Sequence, residues 1–590
     1  MDYEEFTALV LDKPSNCEPK TAEELRRHSV DAHIDGRPIE RALHILTVGE
    51  EVQKLSVIQS LPFLLETHGS QTVQRVVNRV TQVLTTSSVE NHFAASSVFQ
   101  EILEKSLVNV RTYHRSFLKP MLLYLENRDQ EVMAAWLEAI LNVTDLLPPR
   151  IVSDEIFTTA KKKSDFIKPV LSRIIGCRLM GKAASRMNKT EVLQEVVPLV
   201  QSLVQDPEPK VRANICLELN NVAKALGEDA SKTYLWPCLE HLSLDSDAGV
   251  KTACLMSVTQ AISHMDVETL RKTVLPLFRR MCAEEEREVI VAVVDHMGEI
   301  CLGLSEHIAQ EDRVSFIRHY QTLALHTRDQ TNDHVTSTED LQVVCRLYCA
   351  RNLPAMFRFA MCSDEELHEE LSEMLTSLSH DSYYMIRRTV AEGIANIAAT
   401  LGPANFMIKT EFLRLLRDDI EDVLECLVPN IMMTLDHLNE SGVIGNSNVT
   451  LAVIDLIRHL LKCEGIISQT HNWRLHADFF KQMEGLHRVI PPDLINSQFV
   501  SIAFTRIHNA RPQPTRHAAT RTLLIFLRYN KKQIQRNGIR ARITAELFQS
   551  TSCYSRMLFL HLCQEALEIF SSKYFKNVFF QQVLTMAHDK

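Results

Sequence analysis

Residues Val197 to Leu219 read VPLVQSLVQDPEPKVRANICLEL, and two helices joined by a turn can be read from this stretch. The apolar residues from Val196 to Val204 recur at helical spacing. The turn Gln205-Asp206-Pro207-Glu208-Pro209 stops that helix, because proline has no N–H to donate and pushes its predecessor out of the helical region. A second helix starts near Lys210-Val211-Arg212 and carries Ile215, Leu219 and Val222 on one face. One such hairpin cannot bury both of its faces, whereas a stack of hairpins can.

The same frame recurs to either side. Pro198, Pro237 and Pro276 are spaced by 39 residues. Eight positions beyond each stands an acid, Asp206, Asp245 and Glu284, and thirteen beyond stands Val211, Val250 or Val289. The apolar positions keep step: Leu203, Leu242 and Met281 before the turn, then Ile215, Cys254 and Val293, and Leu219, Val258 and Met297 after it. Sliding the frame along the chain places second helices near Val52, Asn91, Val132, Leu171, Val211, Val250, Val289, Val344, Ile386, Val423, Leu475, Thr515 and Ser555. The reading is therefore all-α, a solenoid of about thirteen antiparallel helix pairs. Residues 1–37 read as a polar leader and 38–590 as the solenoid, with polar insertions at 328–340 and 439–448. Phe575 to Ala587 reads as a first helix with no second helix after it, so the last repeat is expected to be incomplete and the chain a shortened isoform or a fragment.

Composition agrees with this reading. With 16 glycines and 20 prolines in 590 residues, the chain lacks the tight turns that a strand-rich fold needs in number. The beginning, Met1-Asp2-Tyr3-Glu4-Glu5, has neither the basic nor the apolar segment of a secretion signal, and no apolar run is long enough to span a membrane. The 14 cysteines are scattered singly on apolar faces, as thiols are in a reducing compartment, which points to the cytoplasm or the nucleus. A net charge of −10 is mild for this length and by itself names no nucleic-acid partner.

The spacing of proline, acid and Val-Arg resembles the HEAT repeat, and its regularity is similar to that of the scaffolding A subunit of protein phosphatase 2A. Asp206-x4-Val211-Arg212 carries the pattern best, and Asp381 with Ile386-Arg387 repeats it. Arg417-Asp418 with Val423 repeats it again, with Leu424 where arginine is expected. Two further segments, Thr522 to Arg528 and Glu565 to Asn577, resemble a regulatory-subunit family of protein phosphatase 4. The resemblance implies a non-catalytic subunit that carries a serine/threonine phosphatase catalytic chain.

Signatures of catalysis are missing: there is no Gly-x-Gly-x-x-Gly, Walker loop, Gly-x-Ser-x-Gly, His-Glu-x-x-His or Cys-x-x-Cys. No cofactor or metal is expected. Cys345 and Cys349 share a helical face and read as packing. His471 and His476 have only Asp478 as a nearby carboxylate, too few ligands for a metal. Glu284-Glu285-Glu286 and Lys161-Lys162-Lys163 read as solvated charge.

Two features suit a protein partner. Trp473-Arg474 falls on the turn of the eleventh unit, where the tryptophan either packs between layers or anchors an interface, since Trp and Arg dominate binding hot spots. In the scaffolds that the chain resembles, a Trp-Arg pair in a late turn contacts the catalytic chain, with a further basic residue two places on; here that place holds His476. From Ile495 to Ala545 there are ten Lys or Arg and no acid, which suits solvated faces or an acidic protein partner. Nucleic acid fits less well, because no aromatic stacking platform accompanies the charge. Arg511, Arg516 and Arg556 are expected on the turns of units twelve and thirteen, lining one ridge with Arg474. Two readings of function follow: a phosphatase regulatory scaffold, and a nuclear-transport or other cargo adaptor built on the same repeats.

Overall fold

The computed structural model describes residues 38–325, 336–361, 365–401, 406–444 and 450–587, so the leader at 1–37 lies outside the described residues. Among these residues there is no β-strand, and first and second helices alternate along the chain. The chain forms two compact units, Met1–Leu242 and Ser243–Lys590. In the first unit the second helices of layers 1 to 5 are Glu51–Gln59, Val89–Glu104, Gln130–Thr144, Val170–Ala184 and Pro209–Leu226. In the second unit, layers 6 to 9 have Ala248–Ala261, Arg287–Leu304, Thr336–Ala360 and Tyr384–Leu401. Layer 10 has Glu421–Leu427, carried through a tight turn at Val428–Asn430 into Ile431–Glu440. Layers 11 to 13 have Trp473–Met483, Gln513–Tyr529 and Cys553–Ile569.

Twelve of these thirteen helices begin within two residues of the position read from the sequence. Layer 8 is the exception. Its helix begins at Thr336, so residues 336–340 of the expected polar insertion are helical, and residues 328–335 lie outside the described set. In the second expected insertion, Asn439 and Glu440 close a helix, Ser441 to Ile444 form a turn, and 445–448 lie outside the described residues. The final first helix is present as Ser572–Val578 and Phe580–Met586.

The repeating apolar frame is the core. Val211, Val250 and Val289 are fully buried, as are Leu219, Val258 and Met297. Each such side chain removed from water contributes about 1.5–3 kcal/mol, which is what holds hairpin on hairpin. The repeating prolines have a local role. Pro198 and Pro276 each follow a π-helical stretch, Val192–Val196 and Leu270–Val274, inside a first helix. A proline leaves a carbonyl without its usual donor, and the widened turn accommodates the ring. Every described cysteine is free, and burial pushes the thiols of Cys177, Cys301, Cys349 and Cys463 well above their ordinary range. Among the described residues no helix is long and apolar enough to cross a membrane. One surface reading is corrected: Lys163 is buried, its ammonium 2.5 Å from a Glu126 carboxylate oxygen.

Candidate functional site

The acid of the repeat stands three residues before the second helix, and the basic residue is the fourth residue of that helix. The acid first closes its own turn: Asp206, Asp381 and Asp418 accept the backbone N–H two residues on, at 2.8–3.0 Å. It then takes a cation from the preceding layer. Arg173 makes a buried, two-pronged pair with Asp206, Nε at 2.8 Å and Nη2 at 2.9 Å. Lys251 reaches Glu284 at 3.0 Å, and Arg387 reaches Asp418 at 2.7 and 3.1 Å. Arg346 joins Asp381 at 2.7 Å from elsewhere on its helix. The fourth-position arginines also clasp the turn before their own helix. Arg212 donates to the carbonyls of Asp206 and Pro207, and Arg387 to those of Asp381 and Ser382. The letters that mark the repeat are thus rungs of a charged ladder along the turns.

The ladder loses its acids at the end of the chain. Asp418 is the last of them; layers 11, 12 and 13 have Thr470, Ala510 and Ser550 in that place. Thr470 and Ser550 still accept the turn N–H from Asn472 and Ser552, each at 3.3 Å, and carry no charge. The candidate residues of the sequence fall on these same late turns.

Trp473 opens the second helix of layer 11, with Asn472 as the cap that accepts from the Leu475 N–H at 3.1 Å. The other two tryptophans, Trp136 and Trp236, are buried, and Trp473 is half-buried. Arg474 is exposed, its guanidinium carbon 4.4 Å from the Trp473 ring centre, and it makes no hydrogen bond or ion pair among the described residues. The pair borders a groove shared with Glu421, Glu425, Pro429 and His471. Thr515 donates to the Trp473 carbonyl at 3.2 Å, which sets the turns of layers 11 and 12 side by side. Arg511 on the layer 12 turn is exposed and likewise unpaired among the described residues.

The remaining expectations need correction. Arg516 is 7% exposed, not on an open ridge, because the fourth position of a second helix faces the neighbouring layer. Its guanidinium lies 4.7 Å from the Tyr554 ring centre. Arg556 is half-buried and clasps its own turn, donating to the carbonyls of Ser550 and Thr551 at 3.1 Å. His476 is buried 3.0 Å from Glu464, which also accepts from Arg506 at 2.6 and 3.1 Å, while His471 is exposed. Burial pushes the Glu464 carboxyl up, and the hydrogen bonds from His476 and Arg506 outweigh that and hold it below its ordinary value. Four of the ten bases in the block meet acids outside it: Arg506 meets Glu464, Arg521 meets Glu484, Glu565 and Glu568, and Lys532 meets Asp493 across layers, while Arg542 meets Glu546 one helical turn on. What sequence reasoning missed is this matching of bases by acids outside the block.

Stacked hairpins with capped, exposed turns define a HEAT-repeat scaffold. The solved structure of importin beta shows the same fold, with a TM-score of 0.59 at 12% identity over 90% of this chain and 67% of that one. A family model described as PIK3R4-like, middle domain, matches residues 166–463. The chain is 32% identical over its whole length to serine/threonine-protein phosphatase 4 regulatory subunit 4 of Mus musculus, of which it covers 68%. Over 53% of its length it is 22% identical to a protein phosphatase PP2A regulatory subunit of Schizosaccharomyces pombe, covering 48% of that protein. The chain belongs to the family of protein phosphatase 4 regulatory subunit 4, and its middle carries the PIK3R4-like domain.

Proposed function

We propose that this chain is a non-catalytic regulatory scaffold of a serine/threonine phosphatase, and that it carries the catalytic chain on the turns of its late layers. The observation that carries the reading is Trp473 with Arg474: an aromatic ring half out of the core, overlaid by a guanidinium that no described residue pairs, at the layer where the ladder ends. Such a pair exposes apolar area at low entropic cost and presents donors that water alone now satisfies. Arg511 on the adjacent turn extends the same surface. Family membership favours this reading over a nuclear-transport adaptor, because likeness to importin beta at 12% identity speaks only for the fold. The free, buried thiols suit the reducing environment of the cytoplasm or nucleus. The test is affinity for the protein phosphatase 4 catalytic chain, measured by calorimetry. Trp473→Ala is expected to cost about 2 kcal/mol or more of binding. Unchanged affinity in that variant would remove Trp473 from the interface, and no binding by the wild-type chain would overturn the function.

A further inference from the structure

Five second helices carry arginine as their fourth residue: Arg173, Arg212, Arg387, Arg516 and Arg556. Arg173 and Arg387 hold an acid of the next layer, and Arg212 and Arg556 hold carbonyls of their own turn. Arg516 does neither. It is 7% exposed, against 6% for Arg173; its Nε and Nη1 are both shut off from solvent without a hydrogen-bond partner, and it has no ion pair among the described residues, where Arg173 has Asp206. Burial alone pushes its pKa down, with no acid to oppose the shift. The rung position across from it, where Asp206 and Asp418 stand in other layers, is Ser550. The helix that bears Arg516, Gln513–Tyr529, begins with Pro512 as cap, has no side-chain cap bond and no acid in its first turn. Arg511, exposed and without a partner among the described residues, precedes it.

We infer that the space between the turns of layers 12 and 13 is a carboxylate site, in which an aspartate or glutamate side chain of a protein partner completes the rung on Arg516 that the chain itself leaves open. The chemistry follows from the equivalent rung: at the same helix position and the same depth, Arg173 is met by the Asp206 carboxylate of the next layer's turn. The way in is past Tyr554, which overlies the guanidinium and is 42% exposed, so displacing one ring uncovers the donors. Arg511 would draw the approaching acid before Arg516 holds it. This deepens the proposed function by stating what the bound protein must present at the layer 12–13 turns, and it rests on that reading only for the identity of the partner.

The test is to supply the missing acid from within. Ser550→Asp puts a carboxylate where Asp206 and Asp418 already serve. The free variant is expected to melt several degrees higher than wild type and to bind the phosphatase catalytic chain roughly tenfold more weakly, about 1.4 kcal/mol. Ser550→Asn, the same size without charge, is expected to do neither. A second arm needs no partner. Sodium acetate is expected to raise the melting temperature of the wild-type chain above that in sodium chloride of equal ionic strength, and to have no such effect on Ser550→Asp or Arg516→Gln. An Arg516-dependent gain, wild type minus Arg516→Gln, that is larger in inorganic phosphate than in acetate would overturn the carboxylate assignment, as would equal melting in acetate and chloride. If Trp473→Ala abolishes partner binding while Ser550→Asp leaves it unchanged, the ridge stands and the carboxylate site falls. If no phosphatase binds, the function falls and the acetate arm still decides the site.

Discussion

Glu464 shows how much one side chain can decide in this fold. It is 4% exposed, and it is charged because two partners converge on it, His476 from its own hairpin and Arg506 from the next layer. Removing its charge leaves Arg506 partly buried and unmatched, so Glu464→Gln is expected to destabilise by about 3 kcal/mol at neutral pH. Its carboxyl titrates below the ordinary glutamate value in the folded chain. The stability it contributes is therefore present above the ordinary value, about pH 4.3, and is lost as pH falls through the lower folded one. Thermal melts of wild type and Glu464→Gln should accordingly differ at pH 7 and converge in acid; a gap that persists unchanged below about pH 4 counts against the assignment. His476 is the residue here that the sequence does not explain. Its place two beyond Arg474 suggests a surface base, and the fourth-position rule puts it inside.

At the scale of the element, the repeat letters are legible in the sequence and their partners are not. Periodicity locates twelve of thirteen second helices, because burial of Val211 and its equivalents is a property of one hairpin. What an arginine touches depends on the next hairpin, some forty residues on, and single-hairpin reasoning has no access to it. Thus Arg474 and Arg511 lie outside, as their turn positions imply, whereas Arg516 and Arg556 turn inward or onto their own turn because their frame position matches Arg212. The signal is present in the correspondence of Thr515-Arg516 with Val211-Arg212. The ladder also makes a graded prediction. Asp206→Asn leaves the buried Arg173 without its charge partner and is expected to cost about 3 kcal/mol. Glu40→Gln, in a pair with Arg75 that is open to water, is expected to cost far less. Equal losses in denaturant melts of the two variants would show that the rung is no stronger than a surface pair.

At the scale of the molecule, the second unit divides its charge along the turns. The layer 10 turn exposes Asp419 and Asp422, with Glu421 between them, none in an ion pair among the described residues. The following turns expose Arg474 and Arg511. A partner seated on these turns is expected to present base to Asp419 and Asp422 and acid to Arg474 and Arg511. Arg511→Glu should slow association more than it speeds dissociation, with the difference fading as salt rises to about 0.15 M. That variant should fold normally, being exposed, whereas Arg516→Glu buries an unpartnered anion and should melt lower. Stopped-flow association indifferent to ionic strength would refute the steering.

The end of the acidic ladder at Asp418 has a consequence in time as well as in charge. In a linear array each layer is held only by its neighbours, so a weaker coupling between layers lets the segment beyond it open without the rest. Layers 11 to 13 keep their apolar packing and lose the charged turn-side rungs, so they are expected to open as a unit of their own. Their backbone amides, those of Gln513–Tyr529 for example, should exchange with deuterium ahead of those in Tyr384–Leu401, whose turn is tied on both sides. A protein seated across the three turns should slow that exchange as one block. The segment that opens most readily in the free chain would then be the one that binding quiets most.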